Sequence, residues 1–317
     1  MPGSIQETKP NTFLIGAAKS GTTTLAEYFR QHPEIYLSPI KEPHFFSSDI
    51  DPTEFSPTFR RTLPHIRPGY WESPILDPMH QSFVRSEDHY LRLFEGAAEY
   101  PIRVDASTSY LWSKEAAQNI RKFSPDAKII VILRDPAERA YSHYLMALKY
   151  GYVKGDFEEN LHRDLEASPG KWGRDELFFD LGAYGTQLDR YYSVFPKDQI
   201  LVLFQSDLKS DPERFFVNVC RFLNVSIFVP DRIYSENSAA VPRFRGFTPQ
   251  GFGRIREWGD RILTGRAKTL MKAIFLKDSG IPKMSPETRN ELIRRYKDEI
   301  DKTQELTGRD LSSWLKT

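Results

Sequence analysis

The segment GAAKSGTT, Gly16 to Thr23, constrains this chain more than any other. It lies between an apolar run, Thr12 to Ile15, and a helical pattern that starts near Thr22 and runs through Leu25, Ala26 and Phe29 to His32-Pro33. Strand, glycine loop and helix in that order aim backbone amides and a helix N-terminus at an anion, usually a phosphate. The loop is not that of a nucleoside triphosphatase, because G-x-x-x-x-G-K-[ST] requires lysine where this chain has Thr22. The lysine stands inside the loop, at Lys19, where it can sit over a single bridging oxygen of a leaving phosphate without a metal. A plain tight turn at a strand–helix junction is the competing reading of the loop alone.

The alternation continues beyond it. Ile35 to Leu37, Ile102 to Asp105, Lys128 to Leu133 and Ile200 to Phe204 read as strands, with helices expected over Ser86 to Phe94, Lys114 to Phe123, Pro136 to about Gly151, and from Ser285-Pro286 to a stop at Gly308. Strands alternating with long helices predict an α/β fold, a P-loop-type central parallel sheet flanked by helices. The stretch Pro39 to Pro78 holds eight prolines, which rules out a regular helix or central strand there. Its aromatic residues predict a packed cap. The 317 residues are therefore read as a single domain, 1–317, with an irregular cap insertion at 47–85 and a basic late insertion at 241–284.

Charge narrows the ligand classes. Lys+Arg 44 against Asp+Glu 43 argues against a nucleic-acid coat, although ten Lys and Arg against three Asp and Glu between Val241 and Met284 make a local excess of +7. The single cysteine, Cys220, excludes an intrachain disulfide, and no metal is expected because the histidines lack H-x-x-x-H spacing. The aliphatic run Ile129 to Leu133 is far short of a membrane span, and the start of the chain lacks a signal pattern, so a cytoplasmic protein without a membrane span is expected. Arg134 follows the strongest strand, at its carboxyl end, where open α/β sheets bind ligands, and can fork onto a phosphate; Ser142, one or two turns into the next helix, can add a donor. An Arg134–Asp135 surface pair and an ordinary helical serine are the alternatives.

With these residues in view, KSGTTTL (Lys19 to Leu25), KEPHFF (Lys41 to Phe46), ILRDPAERAYSHY (Ile132 to Tyr144), GAYGTQLDRYYSVFP (Gly182 to Pro196) and the late LTGRDLSSW resemble the sulfotransferases that use 3′-phosphoadenosine-5′-phosphosulfate (PAPS), closest to the heparan-sulfate and bacterial branches. The resemblance covers most of the chain and is weakest from Ser47 to Arg85. It implies a transferase of sulfuryl groups to a hydroxyl. It places the 5′-phosphosulfate on Lys19, Ser20, Gly21, Thr22 and Thr23, and the 3′-phosphate on Arg134 and Ser142. Tyr184 is similar to the tyrosine that holds the nucleotide, and Arg243, with Arg245 as its alternative, to a late arginine that closes over the phosphate.

Sulfuryl transfer needs a base for the acceptor's proton, a cation where charge builds on the leaving oxygen, and in-line placement. By resemblance to the glycan enzymes the base is Glu42, with His44 the runner-up by analogy to the phenol and steroid branch, and Lys19 stabilises the leaving phosphate. Burial under the aromatic cap is expected to raise the proton affinity of Glu42. A second catalytic lysine of the heparan 3-O branch falls on Ala106, so Asp105 either contacts the acceptor or caps a turn. Phe45, Phe46, Tyr70, Trp71 and Tyr110 line an acceptor cleft or simply the core. The acceptor expected is a glycan, a small phenolic molecule or a carrier-protein-bound acyl chain. A P-loop kinase-like phosphotransferase and a non-catalytic nucleotide- or polyanion-binding module are the competing functions.

Overall fold

The computed structural model describes residues 8–230 and 283–317, together with the backbone of two short strands at 241–242 and 276–277. In chain order the elements are β1 (Thr12–Gly16), α1 (Thr22–Gln31), β2 (Ile35–Leu37), β3 (Ile40–Glu42), α2 (Pro57–Arg60), β4 (Met79–Gln81), α3 (Glu87–Arg92), β5 (Ile102–Ala106), α4 (Ser109–Trp112), α5 (Ala116–Phe123), β6 (Lys128–Leu133) and α6 (Pro136–Tyr150). There follow α7 (Phe157–Ala167), α8 (Tyr184–Tyr192), β7 (Ile200–Phe204), α9 (Gln205–Ser210), α10 (Pro212–Leu223), the antiparallel pair β8 (Val241–Pro242) and β9 (Leu276–Lys277), and α11 (Pro286–Thr307).

Five strands form the central sheet in the order β2-β5-β1-β6-β7, and every pairing is parallel. A parallel sheet must be covered on both faces, and the side chains of β6 alternate to do this. Ile129, Val131 and Leu133 pack with α5, α6, α8 and α11, through residues such as Ile120, Ala140, Leu188 and Tyr296. Ile130 and Ile132 face the other layer, with Leu25 and Phe29 of α1 and Phe215, Phe216 and Val219 of α10. From β1 the chain passes toward β2 on one side, and β6 lies on the other side of β1. The crevice beyond the carboxyl ends of β1 and β6 is thus the topological switch point, where ligands bind in open α/β sheets.

The cap is more ordered than the proline count predicts. Met79–Gln81 pairs in parallel with Ile40–Glu42, and Phe55 and Tyr70 are buried. Among the aromatic residues considered for an acceptor cleft, Phe46, Tyr70 and Tyr110 are buried core; Phe45 stacks on Tyr90 at 4.1 Å and Trp71 on His89 at 4.3 Å. Most of the basic segment 241–284 lies outside the described residues. No helix among the described residues is long and apolar enough to cross a membrane.

The contact of α8 with α11 fixes the wall behind the loop. A Cβ on Gly185 would stand 2.8 Å from both the Glu299 carbonyl oxygen and Lys302 Cβ, while the Glu299 carboxylate accepts from the Thr186 amide at 2.7 Å and its hydroxyl at 2.6 Å. Glycine to alanine in a helix ordinarily gains up to about 1 kcal/mol. Here overpacking against a main-chain atom, roughly 1–3 kcal/mol, outweighs that gain. Gly185→Ala is expected to lower stability by about 1–2 kcal/mol in denaturant unfolding, whereas a solvent-facing glycine would show a gain.

Candidate active site

The loop after β1 turns through positive φ at Gly16 (151°), Lys19 (68°) and Gly21 (112°). Its Ala17 amide donates to the Ile132 carbonyl of β6 at 2.8 Å, tying the two strand ends together. The N-cap of α1 is Gly21, so no side chain caps the helix and no acidic residue lies in its first turn. The free amides at that end are left for an anion. The Ser20 hydroxyl at the same turn and the Tyr184 hydroxyl at the start of α8 are buried and lie against each other, neither in a well-formed hydrogen bond.

Cations surround this turn. Lys19 Nζ reaches Met146 Sδ at 3.5 Å, and burial, reinforced by Arg134, Lys149, Arg139 and Lys41, brings its pKa down to about 8. Arg134, at the end of β6, donates to the Lys19 carbonyl at 3.5 Å and pairs with Glu138 one helical turn on, at 3.2 Å. Asp135 does not form the surface pair with Arg134. It caps α6, accepting from Ala137 and Glu138 amides at 2.9 and 3.1 Å, and binds Arg289 of α11 at 2.8 Å. Ser142 lies two turns into α6, half-buried. Arg243 and Arg245 lie outside the described residues.

Glu42 is the carboxylate nearest in character to the expected base, and it is 7% exposed. Lys41 Nζ donates to Oε1 at 2.8 Å, the Thr108 hydroxyl donates to Oε2 at 2.8 Å, and His44 Nε2 stands 3.6 Å from Oε2. The expectation that burial raises its proton affinity is overturned. Burial does oppose its charge, but Lys41, His44 and His80 outweigh burial and bring the pKa down to about 2. Burial, with Arg85 and Lys41 adding to it, also lowers His44, to about 4, against the pull of Glu42. His44 Nδ1 is 2.7 Å from Ser109 Oγ, which is 2.7 Å from Ser47 Oγ. Asp105 is buried: Tyr90 and Tyr110 hydroxyls donate to Oδ2 at 2.7 Å each and Ser107, two residues on, to Oδ1 at 2.8 Å, and burial lifts its pKa to about 6.

The residues the sequence did not single out are Lys41, Thr108 and Arg139. Lys41 and Arg139 stand within segments that carry the resemblance, KEPHFF and ILRDPAERAYSHY; Thr108 stands just after β5, outside them.

A sulfotransferase domain model matches residues 9–238. The chain belongs to the sulfotransferase family. It is 27% identical over 315 residues, 97% of the chain, to the human bifunctional heparan sulfate N-deacetylase/N-sulfotransferase 3, and 27% identical over 255 residues to carbohydrate sulfotransferase 15 of Mus musculus, which matches 68% of the chain. The chain spans 31% and 44% of the lengths of these two relatives. Among solved structures, a sulfotransferase from Alicyclobacillus acidocaldarius matches with a TM-score of 0.67 and 27% identity, over 97% of this chain and 99% of that one. The α/β fold of the chain is therefore that of a sulfotransferase domain.

The buried groups beside Glu42 set the acid stability of this sulfotransferase. Between pH 6.5 and about 4 the unfolded chain protonates His44 while the folded one does not, so stability is lost as pH falls through that window. Asp105 acts in the opposite direction, because its folded pKa of about 6 exceeds the unfolded value and folding gains a proton as pH falls below 6. His44→Asn is expected to flatten the loss of stability between pH 6.5 and 4, and Asp105→Asn to steepen it, each by up to a few kcal/mol, read as denaturant midpoints at successive pH values.

Proposed function

We propose that this enzyme transfers a sulfuryl group from PAPS to an acceptor hydroxyl, with Glu42 as base and Lys19 as the cation at the leaving oxygen. The observation that carries the reading is the uncapped N-terminus of α1 with Lys19 inside its loop and Arg134 at the neighbouring strand end, across the switch point of the sheet. The residues fit such a donor. The buried hydroxyls of Ser20 and Tyr184, which lie against each other without a well-formed hydrogen bond, can turn to the ligand, and the amides of Gly21 to Thr23 supply further donors. When bound, PAPS supplies an activated sulfuryl group on a phosphosulfate whose departure leaves negative charge on a phosphate oxygen.

Lys19 and the loop amides hold that phosphate and stabilise the charge as it develops, while Arg134, with Ser142 on the same side, holds the 3′-phosphate. Glu42 takes the proton from the acceptor oxygen. A carboxylate offers about four lone-pair sites, so the bonds from Lys41 and Thr108 leave room for one more donor. His44 is the weaker candidate on this reading. Its Nδ1 is taken by the Ser109 hydroxyl at 2.7 Å and its Nε2 stands 3.6 Å from the Glu42 carboxylate, so the ring is tied to those neighbours. The low proton affinity of Glu42 belongs to the protein without its nucleotide. A polyanion beside Lys19 and Lys41 offsets their field and raises the basicity of Glu42 when the acceptor needs it. The glycan enzymes among the relatives favour a carbohydrate hydroxyl as acceptor.

Adenosine 3′,5′-bisphosphate is expected to raise the melting temperature without a metal; stabilisation by ATP and magnesium alone would overturn the donor assignment. Glu42→Gln is expected to reduce turnover of labelled PAPS roughly 100-fold or more while leaving bisphosphate affinity within a few-fold, and normal turnover would remove Glu42 from the role. In wild type, kcat/KM is expected to fall above about pH 8 as free Lys19 loses its proton, and in Lys19→Arg that alkaline limb is expected to disappear.

A further inference from the structure

Two tryptophans stand beside Glu42 and His44, outside both apolar layers. Trp112 ends α4, a short helix fixed at both ends. Thr108, its cap, donates to Glu42 at 2.8 Å, Ser109 lies 2.7 Å from His44 Nδ1, and Arg190 donates to the Leu111 and Trp112 carbonyls at 2.9 Å each. Trp172 comes from the segment after α7. Its ring lies 6.0 Å from that of His44 and 5.8 Å from that of Trp112, the two indoles inclined by 52°. Both tryptophans are half-buried. Among the described residues neither packs on an apolar layer, as Trp71 and Trp314 do, and neither indole N–H donates to a protein group or is shut off from solvent. A tryptophan that serves only as core is packed, with its N–H satisfied.

The segment carrying Trp172 is held in place by the cap. Gly173, at φ 74°, lies so close to Phe55 that a Cβ would stand 2.5 Å from its ring; the Gly173 carbonyl accepts from the Ser56 amide at 2.9 Å, and Lys171 pairs with Glu54 at 2.6 Å. Phe55 packs on Phe83 at 4.8 Å, and Phe83 stacks on His44 at 4.5 Å. The same cap thus sets both the Trp172 ring and the His44 ring.

We propose that Trp172 and Trp112 form the acceptor subsite and take a sugar ring by its C–H face, their indole N–H groups donating to its hydroxyls. The proposal rests on the hydroxyl-transfer reading above and names its substrate class. A flat phenol is gripped best between near-parallel rings, and an acyl chain in a closed apolar pocket. Rings inclined by 52°, with donors at their edges, suit a puckered ring that carries hydroxyls. Trp172 is two contacts from the carboxylate, through His44, so an oligosaccharide with one ring seated there brings a neighbouring hydroxyl to Glu42.

The test uses the full chain with adenosine 3′,5′-bisphosphate bound, as wild type, Trp172→Ala, Trp172→Phe and Trp112→Leu. Tetrasaccharides of cellulose, desulfated heparin and desulfated chondroitin are titrated by calorimetry and by tryptophan fluorescence, and 4-nitrophenol by calorimetry. At least one tetrasaccharide is expected to bind wild type and change its fluorescence, with Trp172→Ala and Trp112→Leu binding it roughly tenfold more weakly. Trp172→Phe is expected to stay within about threefold in affinity while losing most of the fluorescence change, and every variant to keep bisphosphate affinity within twofold. Binding of no tetrasaccharide by wild type overturns the proposal, as does binding of the phenol alone, or a sugar affinity of Trp172→Ala within twofold of wild type. A parallel loss of bisphosphate affinity marks a structural role and overturns it as well. If Trp172→Ala does not fold, a fluorescence change that persists undiminished in Trp172→Phe is the overturning result. Sugar binding that depends on Trp172 in a wild type that moves no sulfuryl group from PAPS overturns the reaction reading and leaves the subsite standing.

Discussion

Like charges gathered in a partly dry crevice repel one another, and the architecture around the glycine loop is arranged to hold them there. Lys19, Lys41, Arg134 and Arg139 come from the loop, β3, the end of β6 and α6, and two of them, Lys41 and Arg134, are paired with acids. Glu42 is held by Lys41 and Thr108, Asp135 by the amides of α6 and by Arg289, and Glu138 by Arg134, with a second contact to Arg289 at 3.7 Å. What remains is a deficit of negative charge at the carboxyl ends of β1 and β6. Lys19 sits in it with a lowered pKa, for which burial is the first cause and the surrounding cations the second. Such a deficit is held open by the rest of the fold: two apolar layers on either face of a parallel sheet and the helix pair α8 and α11.

Strand, loop and helix around Gly16 to Thr23 were legible because each carries a local signal: an apolar run, glycines where φ is positive, and a 3.6-residue period. The same holds for α6, where Pro136 follows the capping Asp135, and for α11, where Ser285 caps and Gly308 ends the helix at φ 68°. Three-residue strands were not legible. Ile40–Glu42 and Met79–Gln81 pair with each other across nearly forty residues of proline-rich cap, and a run that short has no period to read. Helix α8 carries Gly185 in its first turn, a poor helix former that the close approach of α11 requires.

The chemistry of the site was legible in kind and not in its charge state. Lys19, Arg134 and Glu42 were identifiable as a loop cation, a strand-end guanidinium and a carboxylate after a short strand. The ion pair between Lys41 and Glu42 was not, because neighbours along a strand point to opposite faces and a pair at i, i+1 is the one a strand pattern excludes. That pair reverses the predicted direction of the Glu42 shift. Arg139 escaped for a related reason. A Glu138-Arg139 step early in a helix reads as solvated surface, and only the packing of α6 against the Phe178 segment and α11 puts the guanidinium inside.

Burial and charge act on Glu42 with opposite sign, and the sign of their sum decides whether the group is a base in waiting or a fixed counter-ion. In the protein alone the cations prevail and Glu42 is a fixed counter-ion at any physiological pH. The balance is set by a difference of two large effects in a low-dielectric site, so a moderate change in the neighbouring charge moves it far. A ligand carrying several negative charges on the far side of Lys19 and Lys41 is such a change. In the proposed complex it raises the proton affinities of Lys19 and Glu42 together, keeping the lysine charged at the leaving oxygen while making the carboxylate a better acceptor. Linkage makes the relation reciprocal: whatever raises those proton affinities on binding draws protons onto the protein, so donor affinity and readiness of the base come from the same uncompensated charge.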